Sequence, residues 1–346
     1  MRLNHLHPLA PTFRATAALV CVLLLSASCT KNSGSTPGPH LSLTDYKKSN
    51  HHLFVGYLVA DGNDPAAGYN PANAPDSADF LEFFAGHDAN VADWRVAQAK
   101  GTRIVECHFV NNAYFDGSAK DPATQVPGYV NPPGFSQTAA TSTSTYDHWA
   151  RDMYKKLIDT MGINGIDIDI ESGTFGNDVP YNVTGCGENL MISVAKYFGP
   201  NCTLCKTDSL GRKPVLFYDT DGSSKYEAAM YTNHQSNYDY VLFQSYTTGN
   251  HYWRGSTTAD FAPLVSYYGL NKLIFLVNGD SFIYPDGHQD VAGGDAKASS
   301  DLASFSQWVK DNNGVGTGVY RMSRDYNHTP PFAVSRKAIQ TMNPYQ

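Results

Sequence analysis

Residues 164–172 read NGIDIDIES. Asp167, Asp169 and Glu171 fall at every second position, with Ile166, Ile168 and Ile170 between them. Alternate side chains of a strand share a face, so the acids point one way and the isoleucines the other. Burying an unpaired carboxylate is very costly, and the usual escape is a raised pKa or a shared proton. Three carboxyls in a buried row would raise one another's pKa. The outermost, Glu171, could then stay protonated near neutral pH, as a general acid must. Two rivals share the pattern. Alternating carboxylates can chelate a hard cation, but no glycine-turned loop surrounds these and a strand interior is rigid. A DxD phosphatase strand would carry Thr or Val where Glu171 stands.

A strand of this kind needs a sheet buried on both faces. Eight apolar runs recur along the chain: Leu53–Val59, Phe80–Phe84, Ile104–Val110, Ile166–Glu171, Val215–Asp219, Tyr240–Tyr246, Leu273–Asn278 and Gly318–Met322. Near-continuous apolar strands mark a parallel sheet covered by helices. Helical periodicity fills the gaps, at 91–100, 146–161, 188–198, 223–234, 257–268, 298–312 and 332–343. Strand–helix alternation repeated eight times predicts an α/β fold, a single-domain (β/α)8 barrel over residues 51–346. A doubly wound open sheet usually carries a glycine-rich phosphate turn after its first strand. The turn here, VADGNDPAAG, has no GxGxxG.

Barrel enzymes place their chemistry at the C-terminal ends of the strands. Two long segments follow such ends, 111–145 and 172–187. Tyr114, Phe115, Tyr129 and Phe135 in the first suit stacking on sugar rings, or pinning the loop down.

DIDIE resembles the DGxDxDxE signature of glycoside hydrolase family 18, the chitinases and endo-β-N-acetylglucosaminidases. That family is a (β/α)8 barrel with the signature on its fourth strand, where the motif also falls here. The resemblance implies Glu171 as general acid/base and Asp169 as the acid that holds and polarises the substrate's 2-acetamido group. Asp167 would be the inner aspartate sharing its proton. No enzyme nucleophile is implied, because the acetamido oxygen attacks the anomeric carbon; such substrate assistance is a known exception to the two-carboxylate scheme. Asn164 stands where the signature has its leading, supporting aspartate. FQSY, Phe243–Tyr246, is similar to the sixth strand of the endoglycosidases and adds Gln244 and Tyr246, the latter orienting the acetamido carbonyl. Segments 217–222 and 320–326 resemble their fifth and eighth strands. Asn278, Glu106 and His108 are further candidate sugar contacts, and Tyr320 stands where chitinases carry a tryptophan. The expected activity is therefore cleavage of the GlcNAc–GlcNAc core of N-glycans, without cofactor or metal. The alternatives are a chitinase-like hydrolase of GlcNAc oligomers and a glycan-binding protein that has lost catalysis.

The N-terminus reads as a targeting segment. Arg2 and Arg14 precede a short apolar core, Ala17–Leu25, and the run LSASC ends at Cys29. This resembles a bacterial lipoprotein signal, implying removal of residues 1–28, a lipid on Cys29 and an exported protein held to a membrane by that anchor alone. An ordinary signal-peptidase site at Ser26–Ser28 is the other reading. Residues 29–50 read as a flexible tether. Losing Arg2 and Arg14 would take the formal charge of −7 to −9. An acidic chain without a basic stripe excludes nucleic acid as a partner. Of the six cysteines, Cys107 is expected as a buried thiol and a disulfide is expected among Cys186, Cys202 and Cys205, the pairing left open.

Overall fold

The computed structural model describes residues 41–60, 64–84, 91–109, 143–170, 186–222, 228–246, 257–284, 286–287, 289 and 292–344. Eight parallel strands run in chain order: β1 (Leu53–Val59), β2 (Phe80–Phe84), β3 (Arg103–Phe109), β4 (Gly165–Ile170), β5 (Val215–Thr220), β6 (Tyr240–Gln244), β7 (Leu273–Asn278) and β8 (Gly316–Tyr320). Each pairs with its neighbours, and β8 closes on β1 through Leu53–Gly316 and Val55–Gly318. The closed barrel predicted from the sequence is the fold observed. Around it lie α1 (Leu43–Lys48), α2 (Ala66–Tyr69), α3 (Val91–Ala99), α4 (Thr143–Tyr154, continuing as π-helical turns to Met161), α5 (Cys186–Ala195), α6 (Phe261–Tyr268), α7 (Gly294–Asn312) and α8 (Ala333–Met342).

Strand parity divides the apolar core in two. Val55, Tyr57, Phe80, Val105, Cys107, Phe217, Leu242, Ile274 and Leu276 form one cluster inside the barrel. Phe54, Leu81, Ile104, Ile166, Ile168, Ile170, Leu216 and Phe275 belong to the other, between barrel and helices. The isoleucines of β4 thus pack against helices, as their alternation requires.

Two of the differences from the sequence reading have a clear packing cause. β8 starts at Gly316, ahead of the apolar run, because this strand lies hard against β1: a Cβ on Gly316 would run into the Leu53 carbonyl. Glycine there suits close backbone approach. The folded unit also begins before residue 51. Ser42 accepts from Asp45 N–H at 3.1 Å and caps α1, whose Tyr46 is buried. Residues 43–48 are therefore structured, not tether. Lys47 and His51 then reach Asp79 just ahead of β2, His51 Nε2 lying 2.9 Å and Lys47 Nζ 3.5 Å from Asp79 Oδ1. The other Asp79 oxygen accepts from Phe54 N–H at 2.9 Å.

The disulfide joins Cys202 to Cys205, with Cα atoms 5.7 Å apart, in the α5–β5 connection, and Cys107 is a buried free thiol.

Asp79 clamps α1 to the N-terminal rim of the barrel. Asp79→Ala takes the counter-charge from the Lys47 ammonium, which keeps only the Ala78 carbonyl, and leaves the Phe54 N–H without its acceptor, so urea unfolding should register a loss of about 3 kcal/mol. Activity per folded molecule should not change, since the clamp lies at the rim opposite the strand C-termini. A loss below ~1 kcal/mol would show the clamp to be ornamental.

Candidate active site

Strands β3, β4 and β5 carry a column of buried acids into the barrel. Cys107 pairs with Asp167, and Phe109 with Asp169; Asp169 in turn pairs with Asp219 on β5. Asp167 is fully buried, and Asp169 and Asp219 are nearly so, at 4% and 2% exposed. Gln244, at the end of β6, donates its Nε2–H to Asp169 Oδ1 at 3.0 Å. Asp167, Asp169 and Gln244, singled out from the sequence, thus converge inside one barrel. Glu171, one residue beyond β4, lies outside the described residues, as do Cys29, the aromatics of 111–135 and residues 171–185.

Below the aspartates stands Tyr57 of β1. Its hydroxyl lies 3.0 Å from Asp167 Oδ2 and 2.8 Å from Asp219 Oδ2. One hydroxyl carries one proton. It can donate to one of these oxygens, and an attractive contact with the other requires that carboxyl to donate back, holding a proton of its own. Burial, then the charges of Asp167 and Asp219, push the Tyr57 pKa well up, so the hydroxyl keeps its proton. Burial likewise raises the Cys107 thiol. Asp167 is pushed up to about 6 by burial, against the pull of Glu82, Cys107, Tyr57 and the Ile168 backbone amide, each of which stabilises its charged form.

Tyr246 and Tyr320 stand above this column, at the ends of β6 and β8. Their rings stack with centroids 5.8 Å apart at 23°. Tyr320 also meets the edges of Tyr57 and Phe84 at 6.0 and 5.7 Å, and burial lifts its hydroxyl to about 12. Two stacked tyrosines make an apolar wall beside Asp169, which suits one face of a sugar ring. Asn278 ends β7 on the interior parity, but its Oδ1 accepts from Asp280 N–H at 2.7 Å and caps the turn Gly279–Ser281.

Asn164, in the leading place of the motif, accepts through Oδ1 from Ile104 N–H at 2.9 Å and from Gln98 Nε2–H at 2.8 Å. It ties β3 and α3 to the start of β4, a task that needs a side-chain oxygen but no charge. Sequence reasoning missed Tyr57, Glu82, Cys107 and Asp219 as members of the column. The signal was present: each is a polar residue of interior parity within an apolar strand.

Glu82, Cys107 and Asp167 bring donor atoms within 4.8 Å of one another, as do Cys107, Asp169 and Asp219. A hard cation wants six or more oxygens. Each set offers two carboxylates and a thiol, with the Tyr57 O–H or the Gln244 N–H already aimed at the same carboxylates. That donor set suits shared protons better than a metal. A cavity of about 620 Å³ opens at the other end, lined by His51, Asp79, Arg103 and Asn343. It lies by the strand N-termini, where barrels do not place their chemistry.

Residues 95–319 match the family model described as the endo-β-N-acetylglucosaminidase EndoS TIM-barrel domain. An endo-β-N-acetylglucosaminidase F2 from Elizabethkingia meningoseptica is 24% identical over 327 residues, spanning 88% of this chain and 85% of that protein. An endo-β-N-acetylglucosaminidase from Bifidobacterium longum subsp. infantis is 25% identical over 184 residues, 52% of this chain; the match spans only 29% of that relative's length. The catalytic domain of a family GH18 chitinase from the fern Peteris ryukyuensis shares the fold, with a TM-score of 0.50 and 15% identity over 85% of this chain and 98% of that one.

Glu106 and His108 do not join the site. They have the parity of Ile104, so they sit between barrel and helices, where the His108 ring meets Trp149 of α4 edge-on at 6.4 Å. Burial raises Glu106 to about 8, only partly offset by the charge of Lys156. Between an ordinary carboxylate pKa and 8 the folded state holds this proton and the unfolded chain releases it. Stability therefore falls as pH rises through that window, by up to ~1.4 kcal/mol per pH unit. Glu106→Gln lacks the ionisation, so its melting temperature relative to wild type should climb from pH 5 to pH 8. A difference flat in pH would contradict the burial.

Proposed function

Because the chain belongs to the family of the endo-β-N-acetylglucosaminidase EndoS TIM-barrel domain, a family of glycoside hydrolases, we propose that it cuts the GlcNAc-β-1,4-GlcNAc core of N-glycans by substrate-assisted, retaining hydrolysis. The observation that carries this reading is the buried Asp169 carboxylate, gripped by Gln244 at 3.0 Å and set beside the Tyr246–Tyr320 stack. Glu171 donates its proton to the glycosidic oxygen while the acetamido oxygen of the same sugar attacks the anomeric carbon. The bond to the leaving sugar breaks, leaving a cyclic oxazolinium. Its N–H⁺ is held by the carboxylate of Asp169, a fixed charge in a dry site where electrostatic stabilisation is large. Asp167 fixes Asp169 from below, and the Tyr246 hydroxyl orients the acetamido carbonyl. Water, losing its proton to the Glu171 carboxylate, then opens the ring with retention.

Tyr320, at the end of β8, stands where a chitinase would place tryptophan, which favours the N-glycan core over chitin. Outside the barrel, the short apolar core and Cys29 support an exported, lipid-anchored protein with a signal over residues 1–28 and a tether ending near Leu41. No helix among the described residues is long and apolar enough to cross a membrane.

Incubating the chain lacking residues 1–29 with an N-glycosylated protein should shorten each glycan to a single GlcNAc, read as a mass shift. Glu171→Gln should lose about 10²–10⁴ in kcat on these substrates, and Asp169→Asn about 10²–10³. Binding without cleavage by the wild-type chain would mean a glycan-binding protein; cleavage of GlcNAc oligomers alone would mean a chitinase-like enzyme. Tyr246→Phe should lower kcat about 10-fold or more with KM little changed. An unchanged kcat would remove the hydroxyl from the reaction.

A further inference from the structure

Glu82 of β2 is a carboxyl of the column that takes no part in the proposed reaction. It is fully buried, and its parity places it inside the barrel beside Tyr57, with which it pairs across β1 and β2. A Glu82 oxygen lies within 4.8 Å of both an Asp167 oxygen and the Cys107 sulfur. Neither Glu82 oxygen has a neutral N–H or O–H donor aimed at it in hydrogen-bond geometry. Among the described residues, the groups facing it are Tyr57 from β1, Cys107 from β3, Asp167 and Asp169 from β4 and Asp219 from β5; all are acids or weak acids. No cation stands among these described residues to hold a Glu82 charge.

We infer that Glu82 is a positioning residue that remains protonated and donates to Asp167, helping to hold Asp167 as the anionic base on which Asp169 rests. The geometry allows little else. A second carboxylate against Asp167 in a dry interior would meet like charge at close range with nothing to offset it. A carboxylic acid in the same place supplies the third donor to Asp167, alongside the Cys107 thiol and the Tyr57 hydroxyl. Burial, followed by the charge of Asp167, pushes the Glu82 pKa well above its ordinary value, in keeping with this assignment. The role follows from charge. Asp167 ionised beneath Asp169 adds negative potential under the site where the oxazolinium cation forms. Removing a donor raises the proton affinity of Asp167, and protonating it weakens that potential.

The inference rests on the proposed hydrolysis, so the test includes a readout that needs no substrate. In infrared difference spectra at neutral pH, wild type minus Glu82→Gln should show the carbonyl stretch of a protonated carboxylic acid. Its absence would mean that Glu82 is ionised and would overturn the proposal. In kinetics, Glu82→Gln keeps an N–H donor in place of the O–H and should retain kcat within about threefold with an unmoved acid limb. Glu82→Leu removes the donor; kcat near pH 6 should fall about tenfold or more, with KM little changed and the acid limb displaced to higher pH. A Leu variant that folds, as judged by circular dichroism, yet keeps the wild-type pH profile would overturn it, as would a Gln variant no better than Leu. Inactive wild-type protein would instead count against the hydrolysis itself, leaving the infrared result to decide the protonation of Glu82.

Discussion

A strand in a closed barrel has one face toward the helices and one toward the interior, and no edge on which to put anything else. In β4 that constraint sends Ile166, Ile168 and Ile170 outward and Asp167 and Asp169 inward, where water does not follow. The remaining features of the site answer the resulting electrostatic problem. Gln244, Tyr57, Cys107 and Glu82 come from four different strands, and each can offer a proton to a β4 carboxylate. A low-dielectric interior makes such contacts strong and makes unmatched ones costly. The same crowding keeps the charge on Asp169 from being solvated away, so it remains available to a cation formed above it.

Much of this was legible in the sequence, because parity is a local property. The alternation in NGIDIDIES alone assigns both faces of β4. The bounds of β1, β2 and β7 coincide with their apolar runs because apolar residues dominate those strands from end to end. β8 shifted by two residues because Gly316 and Thr317 carry no hydrophobic signal; Gly316 is suited to close backbone approach to β1. Glu106 and His108 were misplaced because polar residues were expected on the interior face. Counting from Val105 and Cys107 would have put them outside, in an unusual layer of buried polar groups next to Trp149.

What the sequence withholds is which polar residues meet. Tyr57 reaches Asp167 and Asp219 across separations of 110 and 162 residues. Only closure of β1 onto both β2 and β8 brings the ends of the chain to the same column. Local pattern contains no trace of that proximity, so the single-proton contact between Tyr57 and two carboxyls emerges from the structure alone. The start of the folded unit was hidden for a similar reason: Ser42 and Tyr46 read as tether until Asp79, over thirty residues on, supplies the partner for Lys47.

The central claim is that the column stabilises a cation made from the substrate's own acetamido group. It is tested most directly with glycan substrates whose acetamido methyl, on the sugar at the cleaved bond, carries one, two or three fluorines. Each fluorine makes the carbonyl oxygen a poorer nucleophile with little change in size. The account predicts that kcat falls steeply and progressively along the series. A kcat indifferent to fluorination would mean that the acetamido group does not attack, and that the buried acids of β4 serve some other chemistry.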